Sequence, residues 1–296
     1  MAVARIKSCF LFQKASEHIW YGLADRHEYS VGIDERGITD TLVYWLIKYH
    51  SSHIGSQMIV RKAKNEPTEG NDLDLYIRNG SGGFNRFALQ AKVLSPTKAK
   101  SSVKKGVRSV THPPKVYDGI QNRRGARGYQ WNMLNKGEKA GLFKGYYLLY
   151  NGYSNSQLSI CGLAGKASTS PYLGCSLVKP MDVERATRST ARVRKGRRIP
   201  RTAPGYEAFH DLAAPLARPW HDLVCSTEFS SGYDGKSYGL AEILNNPRFF
   251  TLQPIASQVD QRGTADDTGT QSSDRVLPDL IKSDFGPRYQ VILDLE

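Results

Sequence analysis

The chain has 296 residues, enough for one large domain or two smaller ones, and its 40% hydrophobic and 10% aromatic content excludes a disordered or fibrous protein. Forty-one Lys and Arg against 28 Asp and Glu give a net charge of +13, which favours a polyanionic partner, although many basic proteins touch nucleic acid only weakly. No apolar run approaches a membrane span, and Cys9 to Phe12 after Arg5 and Lys7 is too short for a secretion signal, so the expectation is a cytoplasmic protein with no membrane partner. Cys9, Cys161, Cys175 and Cys225 show no metal-ligand spacing and read as reduced, mostly buried thiols rather than a disulfide frame.

In chain order, residues 8–29 place Phe10, Phe12, Ile19, Trp20 and Leu23 at roughly helical spacing and predict an N-terminal helix. Asp34 to Gly37 precede a clearer one, with Ile38, Leu42, Trp45, Leu46 and Tyr49 forming a buried stripe. Glu35 lies on the side of that stripe if the helix reaches back so far. It is either an inward-facing carboxylate or a first-turn Glu favoured by the helix dipole. Gln57 to Arg61 predicts a short strand, followed by a polar loop containing Pro67.

Asn71 to Lys92 is the most informative stretch. The runs LDLYI and FALQAKVL flank a Gly/Ser/Asn turn at residues 79–83 and predict a β-hairpin. Strand alternation puts Asp72, Asp74 and Tyr76 on one face, opposite Leu73, Leu75 and Ile77, and puts Gln90 with Lys92 opposite Leu89, Ala91 and Val93. Pairing the strands would bring one or two carboxylates, an amide oxygen and an amine to one point. Such oxygen donors suit a hard divalent cation. Outward-facing Asp, Gln and Lys are also ordinary on the wet face of an antiparallel sheet.

A polar insertion follows at residues 95–115, carrying Lys98, Lys100, Lys104, Lys105 and Arg108 without an acid, and a second basic turn carries Arg123, Arg124 and Arg127. Both are phosphate-contacting loops or simply solvated ones. Residues 129–140 predict a helix burying Trp131 and Leu134, and residues 145–151 an apolar strand covered on both faces. Beyond them LSICGLAG suggests a strand, SLVKPMDVERAT a strand turning into a helix, and residues 209–225 a helix in pieces, broken at Pro215 and Pro219. Residues 185–201 hold eight basic residues and no acid, including Arg194, Lys195, Arg197 and Arg198, and read as an arm or a phosphate-binding surface. Residues 258–274 have linker composition, and RYQVILDLE alternates like a terminal strand that docks on the core or on a partner subunit.

Asp72 followed by Gln90-Ala91-Lys92 after a hairpin resembles the core of the PD-(D/E)XK nuclease superfamily, in the Mrr-like variant whose second acid is Gln. More of the chain is similar to a group of bacterial proteins placed in that superfamily. Its motifs match Glu35 with Ile38-Thr39, Gly70-Asn71-Asp72, Gln90-Ala91-Lys92, Tyr117 and Gln130 on a later helix, Tyr147 to Asn151, and the PWHxLVC of Pro219 to Cys225. The resemblance spans roughly residues 30–226.

The resemblance implies an α/β, restriction-endonuclease-like core of order αβββαβ over residues 34–157. An N-terminal helical extension (1–33), a C-terminal elaboration (158–257), a linker (258–275) and a C-terminal element (276–296) would surround it. It further implies a Mg²⁺- or Mn²⁺-dependent endonuclease acting on nucleic acid, DNA more than RNA, in restriction or phage defence, as a homo-oligomer or with a defence-system partner. Asp72, Glu35 or Asp74, the Gln90 side chain and the Ala91 carbonyl would hold the metal. Lys92 would orient the attacking water or stabilise the transition state, and Gln130 would bond near the metal or the scissile phosphate. Gln in place of an acid weakens a metal site, so the alternative is a nucleic-acid-binding module or complex subunit without catalysis.

Overall fold

The computed structural model describes residues 2–29, 31, 34–53, 58–64, 71–96, 114–117, 119–120, 129–189, 193–194, 197–198, 203–226, 229, 233–252 and 287–294. Helices α1 (Ala2–Glu28) and α2 (Glu35–His53) come first, followed by β1 (Met58–Ala63), β2 (Leu73–Arg78), β3 (Phe84–Pro96) and β4 (Pro114–Tyr117). Then come α3 (Gln130–Lys139), β5 (Lys144–Tyr150), α4 (Asn155–Cys161), β6 (Cys175–Val178) and α5 (Pro180–Ser189). A small ribbon pairs β7 (Val193–Arg194) with β8 (Arg197–Arg198). Short elements complete the chain: α6 (Glu207–His210), β9 (Arg218–Pro219), α7 (Asp222–Cys225), β10 (Ser237–Tyr238), a helix Leu240–Leu244, β11 (Phe249–Thr251) and β12 (Tyr289–Leu293).

Among the described residues, ten strands form one mixed sheet in the order β11, β1, β12, β2, β3, β5, β6, β9, with β4 and β10 also pairing β3. The predicted hairpin is there: β2 and β3 run antiparallel with Leu73 opposite Leu89 and Tyr76 opposite Arg86. Asn79 closes its turn, its Oδ1 accepting the N–H groups of Ser81 and Gly83 at 3.1 Å. β5 lies parallel to β3 after α3, with Gln90 beside Tyr147 and Lys92 beside Leu149. Over residues 34–157 the order is helix, four strands, helix, strand, since β4 stands between β3 and α3 where three strands were expected. β1 and β2 are not neighbours, because β12 lies between them, antiparallel to β1 and parallel to β2.

Both faces of the sheet are covered. Leu73, Leu75, Ile77, Leu89, Ala91 and Val93 pack with Leu11, Phe12 and Ile19 of α1 and Ile38, Leu42 and Leu46 of α2. On the other face Ala88, Tyr147 and Leu149 pack with Trp131 and Leu134 of α3 and Val183 of α5. Hence the polar residues of the hairpin do not lie on a wet surface: Asp74, Gln90 and Lys92 are 0%, 3% and 2% exposed.

Three expectations need correction. LSICGLAG begins in a helix, since Ser154 and Gln157 form a reciprocal capping box at the start of α4 and Gly162 adopts φ +65° at its end. Tyr117 ends a strand, not a helix, and donates its hydroxyl to Asn151 Oδ1. Cys9 and Cys225 are not reduced thiols but a disulfide across 216 residues, while Cys175 stays a buried thiol. Phe10 also turns outward from α1, leaving Leu11 and Ala15 in the core.

The disulfide is one part of a clasp on α1 built by the PWHxLVC stretch. Trp220 stacks on Phe12 with ring centroids 4.3 Å apart, and its Nε1 donates to the Phe12 carbonyl at 2.9 Å. The main chain of α1 rests directly on Gly174, where an added methyl group would lie 2.0 Å from Ser16 O.

Candidate functional site

Asp72 enters β2, and its N–H donates to Leu89 O at 2.9 Å. Leu89 therefore turns its main-chain groups toward β2, and Ala91, two residues on, turns its own to the same side. There β2 has not yet begun. Asp72 Oδ2 takes the place of a strand, accepting the Ala91 N–H at 2.8 Å and the Gln90 side-chain amide. The Ala91 carbonyl faces that same side. Lys92 shares a face with Gln90, and its Nζ donates to Glu35 Oε2 at 2.8 Å.

The first turn of α2 brings Glu35 to this point. Asp34 opens the helix, its Oδ1 accepting the Gly37 N–H at 2.7 Å. The helix does reach back to Glu35, whose side chain keeps 27% of its surface exposed against 3% for Lys92. Glu35 is thus both the first-turn acid that the helix dipole favours and the ion-pair partner of a buried lysine. A buried ammonium without a partner costs several kcal/mol, of order 3–5 when one partner is removed, so this pairing is a strong constraint on where α2 begins.

Asp74 has different company. Arg86 donates to its Oδ2 from Nη2 at 2.7 Å and from Nε at 2.9 Å, and Asn71 donates to its Oδ1. Burial pushes the Asp74 carboxyl up from its ordinary value, against the opposing pull of Arg86 and Asn71. Burial is the largest influence on the Arg86 charge and works against it, but the Asp74 carboxylate together with Tyr76 and Tyr238 holds the guanidinium above its ordinary value. The two shifts pull opposite ways on one contact. The guanidinium keeps part of its surface in solvent whereas the carboxyl keeps none, so the arginine gains from the pair while the aspartate bears the desolvation. Asp74 is therefore removed from the candidate metal ligands.

Gln130 is the first residue of α3 and is buried, and its side chain makes no hydrogen bond to Glu35, Asp72, Gln90 or Lys92. Lys98, Lys100, Lys104, Lys105, Arg108, Arg123, Arg124, Arg127 and Lys195 lie outside the described residues, and the side chains of Arg194, Arg197 and Arg198 do too. Arg185 and Arg188, at the start of the basic block, pair with Asp182 and Glu184 within α5.

Two polar groups were missed by the sequence reading. Arg86 was legible from alternation, lying four residues before Gln90 on the same face of β3. The second is a buried chain on the face of the sheet covered by α3 and α5. Tyr117 donates to Asn151 Oδ1, and Asn151 Nδ2 donates to Ser176 Oγ at 3.0 Å. Ser176 Oγ in turn lies 2.9 Å from His210 Nε2. Its members are fully buried, so the motif residues Tyr117 and Asn151 consolidate the core. His221 caps α7 within the clasp on α1.

The donors at the first cluster are two carboxylates, an amide and a main-chain carbonyl with one amine beside them. These are hard oxygen ligands with a net formal charge of −1, which fits Mg²⁺ or Mn²⁺. Among the described residues no three His, Cys, Asp or Glu side chains come together.

The fold and this cluster define an α/β protein that gathers acid, amide and amine at the point where one strand of a ten-stranded mixed sheet begins. The chain belongs to a family described as one of unknown function, DUF6615, whose model matches residues 8–289. No curated protein and no solved structure matches it. Among the described residues no helix is long and apolar enough to cross a membrane.

Proposed function

We propose that this protein is a metal-dependent nuclease of the PD-(D/E)XK type, hydrolysing phosphodiester bonds in nucleic acid, with DNA the favoured substrate. The observation that carries the reading is the burial of Lys92 against Glu35, one residue from the strand position where Asp72 binds Gln90 and Ala91. A fold retains a buried amine, two carboxylates and an amide together at a cost in desolvation, and such clusters concentrate at functional sites.

Asp72, Glu35, the Gln90 side chain and the Ala91 carbonyl would hold Mg²⁺ or Mn²⁺. When bound, the ion supplies Lewis-acid activation of water and charge neutralisation at the phosphate. Asp72 is oriented before any ligand arrives, since the Ala91 N–H and the Gln90 amide fix one of its oxygens. Lys92, released from Glu35, would donate to a nonbridging phosphate oxygen as negative charge grows there. The net charge of +13 fits a polyanionic substrate. A role in restriction or phage defence rests on resemblance alone.

Incubation of supercoiled, linear and single-stranded DNA and of RNA with Mg²⁺, Mn²⁺ or EDTA tests the proposal. Cleavage of at least one form is expected, lost in EDTA and lowered at least a hundredfold in Lys92→Ala. No metal-dependent cleavage of any form, or full activity in Lys92→Ala, would overturn it. The two carboxylates, Asp72 and Glu35, gathered among the described residues with an amide beside them favour a second reading, a nucleic-acid-binding module without catalysis. Mobility shifts that are indifferent to metal, with no cleavage, would select it.

A further inference from the structure

Glu35 is the acid of the candidate site that comes from a helix, so its place depends on what holds the first turn of α2. Arg288 and Tyr289 bind that turn at the Arg36 carbonyl and at Asp40, and two neighbouring strands bind Glu35 itself. From β3, Lys92 takes the Glu35 side chain. From β5, Tyr150 reaches the Glu35 main chain through Thr39, whose Oγ1 donates to the Glu35 carbonyl at 2.8 Å and lies 3.0 Å from the Tyr150 hydroxyl.

The direction of these bonds follows from the hydroxyl inventory. Thr39 spends its one hydrogen on the Glu35 carbonyl, so the Tyr150 phenol is the donor to Thr39. Burial raises the phenol well above its ordinary value, and the nearby charges of Asp72 and Glu35 act in the same sense, so it stays a donor at any physiological pH. A buried Thr bonded to the carbonyl four residues back, with a satisfied Tyr beside it, is common as plain core consolidation. The arrangement here differs in its target. Leu149, next to Tyr150, is the partner of Lys92 across the strands, so adjacent positions grip the same glutamate by its main chain and its side chain.

We infer that Tyr150, acting through Thr39, is a positioning residue for Glu35: it keeps the carboxylate in place when Lys92 leaves it for a phosphate. The purpose of the device rests on the nuclease reading, but its existence does not. Without the Tyr150 link, parting Lys92 from Glu35 would remove both of these polar ties, leaving the first turn of α2 to the packing of Ile38 and to the bonds of Arg288 and Tyr289 with the Arg36 carbonyl and Asp40.

The test compares full-length wild type with Tyr150→Phe, Thr39→Val, Thr39→Ser and the Tyr150→Phe/Thr39→Val double variant. Mn²⁺ affinity is read by electron paramagnetic resonance, amide hydrogen exchange by mass spectrometry, and cleavage on the substrate panel above. Tyr150→Phe and Thr39→Val should each weaken Mn²⁺ binding about tenfold, the range for loss of an outer-shell partner of a metal ligand. The double variant should lose no more than either single one, and Thr39→Ser should recover most of the affinity lost in Thr39→Val. Exchange should rise at residues 38–42 and stay unchanged elsewhere. Wild-type exchange at 38–42 in both single variants, additive losses, or a rise along all of α2 and β5 would overturn the inference. Should the wild type bind no Mn²⁺ and cut nothing, the nuclease reading falls, and the exchange pattern still decides whether Tyr150 holds the turn.

Discussion

Asp72, just before β2, and Asp74, within it, sit two positions apart and have opposite fates. Alternation placed both toward the candidate site, and nothing in the local sequence separates them. The register does: Asp72 falls beside Gln90 and Ala91, while Asp74 falls within reach of Arg86. Asp74→Asn should therefore cost about 3 kcal/mol of stability, as expected when one partner of a buried ion pair is removed, and denaturant melts would measure it. A loss below about 0.5 kcal/mol would show that the Arg86 contact contributes nothing, as exposed pairs often do. His210 gives a pH prediction at the same scale. Burial pushes its imidazole down to about 4 from 6.5, with the Tyr206 carbonyl opposing. A depressed folded value means the unfolded chain binds the proton more readily, so this contribution is full above pH 6.5 and is lost as pH falls toward 4. The loss is capped at about 3 kcal/mol, and His210→Gln should flatten the stability profile across that window relative to wild type.

At the level of elements, α1 is held by contacts that no periodicity reveals. Its buried stripe was legible, apart from the outward turn of Phe10, because repeating apolar residues mark a face wherever the helix packs. Its partner was not. Trp220, Gly174 and the Cys9–Cys225 bond link α1 to segments more than 150 residues away, 216 for the disulfide, and a motif such as PWHxLVC reads equally well as a site or as a clasp. Reducing the disulfide should lower stability by about 2–4 kcal/mol, the usual range for a native crosslink. Thermal melts with and without dithiothreitol would check this, and Cys9→Ser should melt at the reduced temperature in both buffers. α4 carries the complementary lesson. Its apolar content suggested a strand, yet the capping box of Ser154 and Gln157 was present in the sequence and outranked composition, since it satisfies two helix-terminal N–H groups at once.

On the scale of the whole molecule, β12 is decisive. RYQVILDLE read correctly as a strand that docks either on the core or on a partner subunit. It docks on the core, inside the sheet between β1 and β2, with Val291, Ile292 and Leu293 buried. Removing residues 288–296 would expose two strand edges and open the core beneath α1 and α2. The truncated chain should therefore aggregate or lose cooperative unfolding, as judged by size-exclusion chromatography and circular dichroism. A monomeric truncation with a sharp melt would contradict the central place given to β12.

The sequence by itself determined the hairpin, the amphipathic helices, the parallel return through α3, and the face on which Asp72, Gln90 and Lys92 lie. Each follows from short-range rules of alternation, helical period and turn chemistry, which act between residues a few positions apart. Only the tertiary structure decided that this polar face is buried, that Glu35 pairs with Lys92 and not with solvent, that Asp74 belongs to Arg86, and that the last strand enters the middle of the sheet. Those outcomes depend on register and on packing between distant segments, where many pairings satisfy the same local pattern and the burial of charge and apolar surface selects among them.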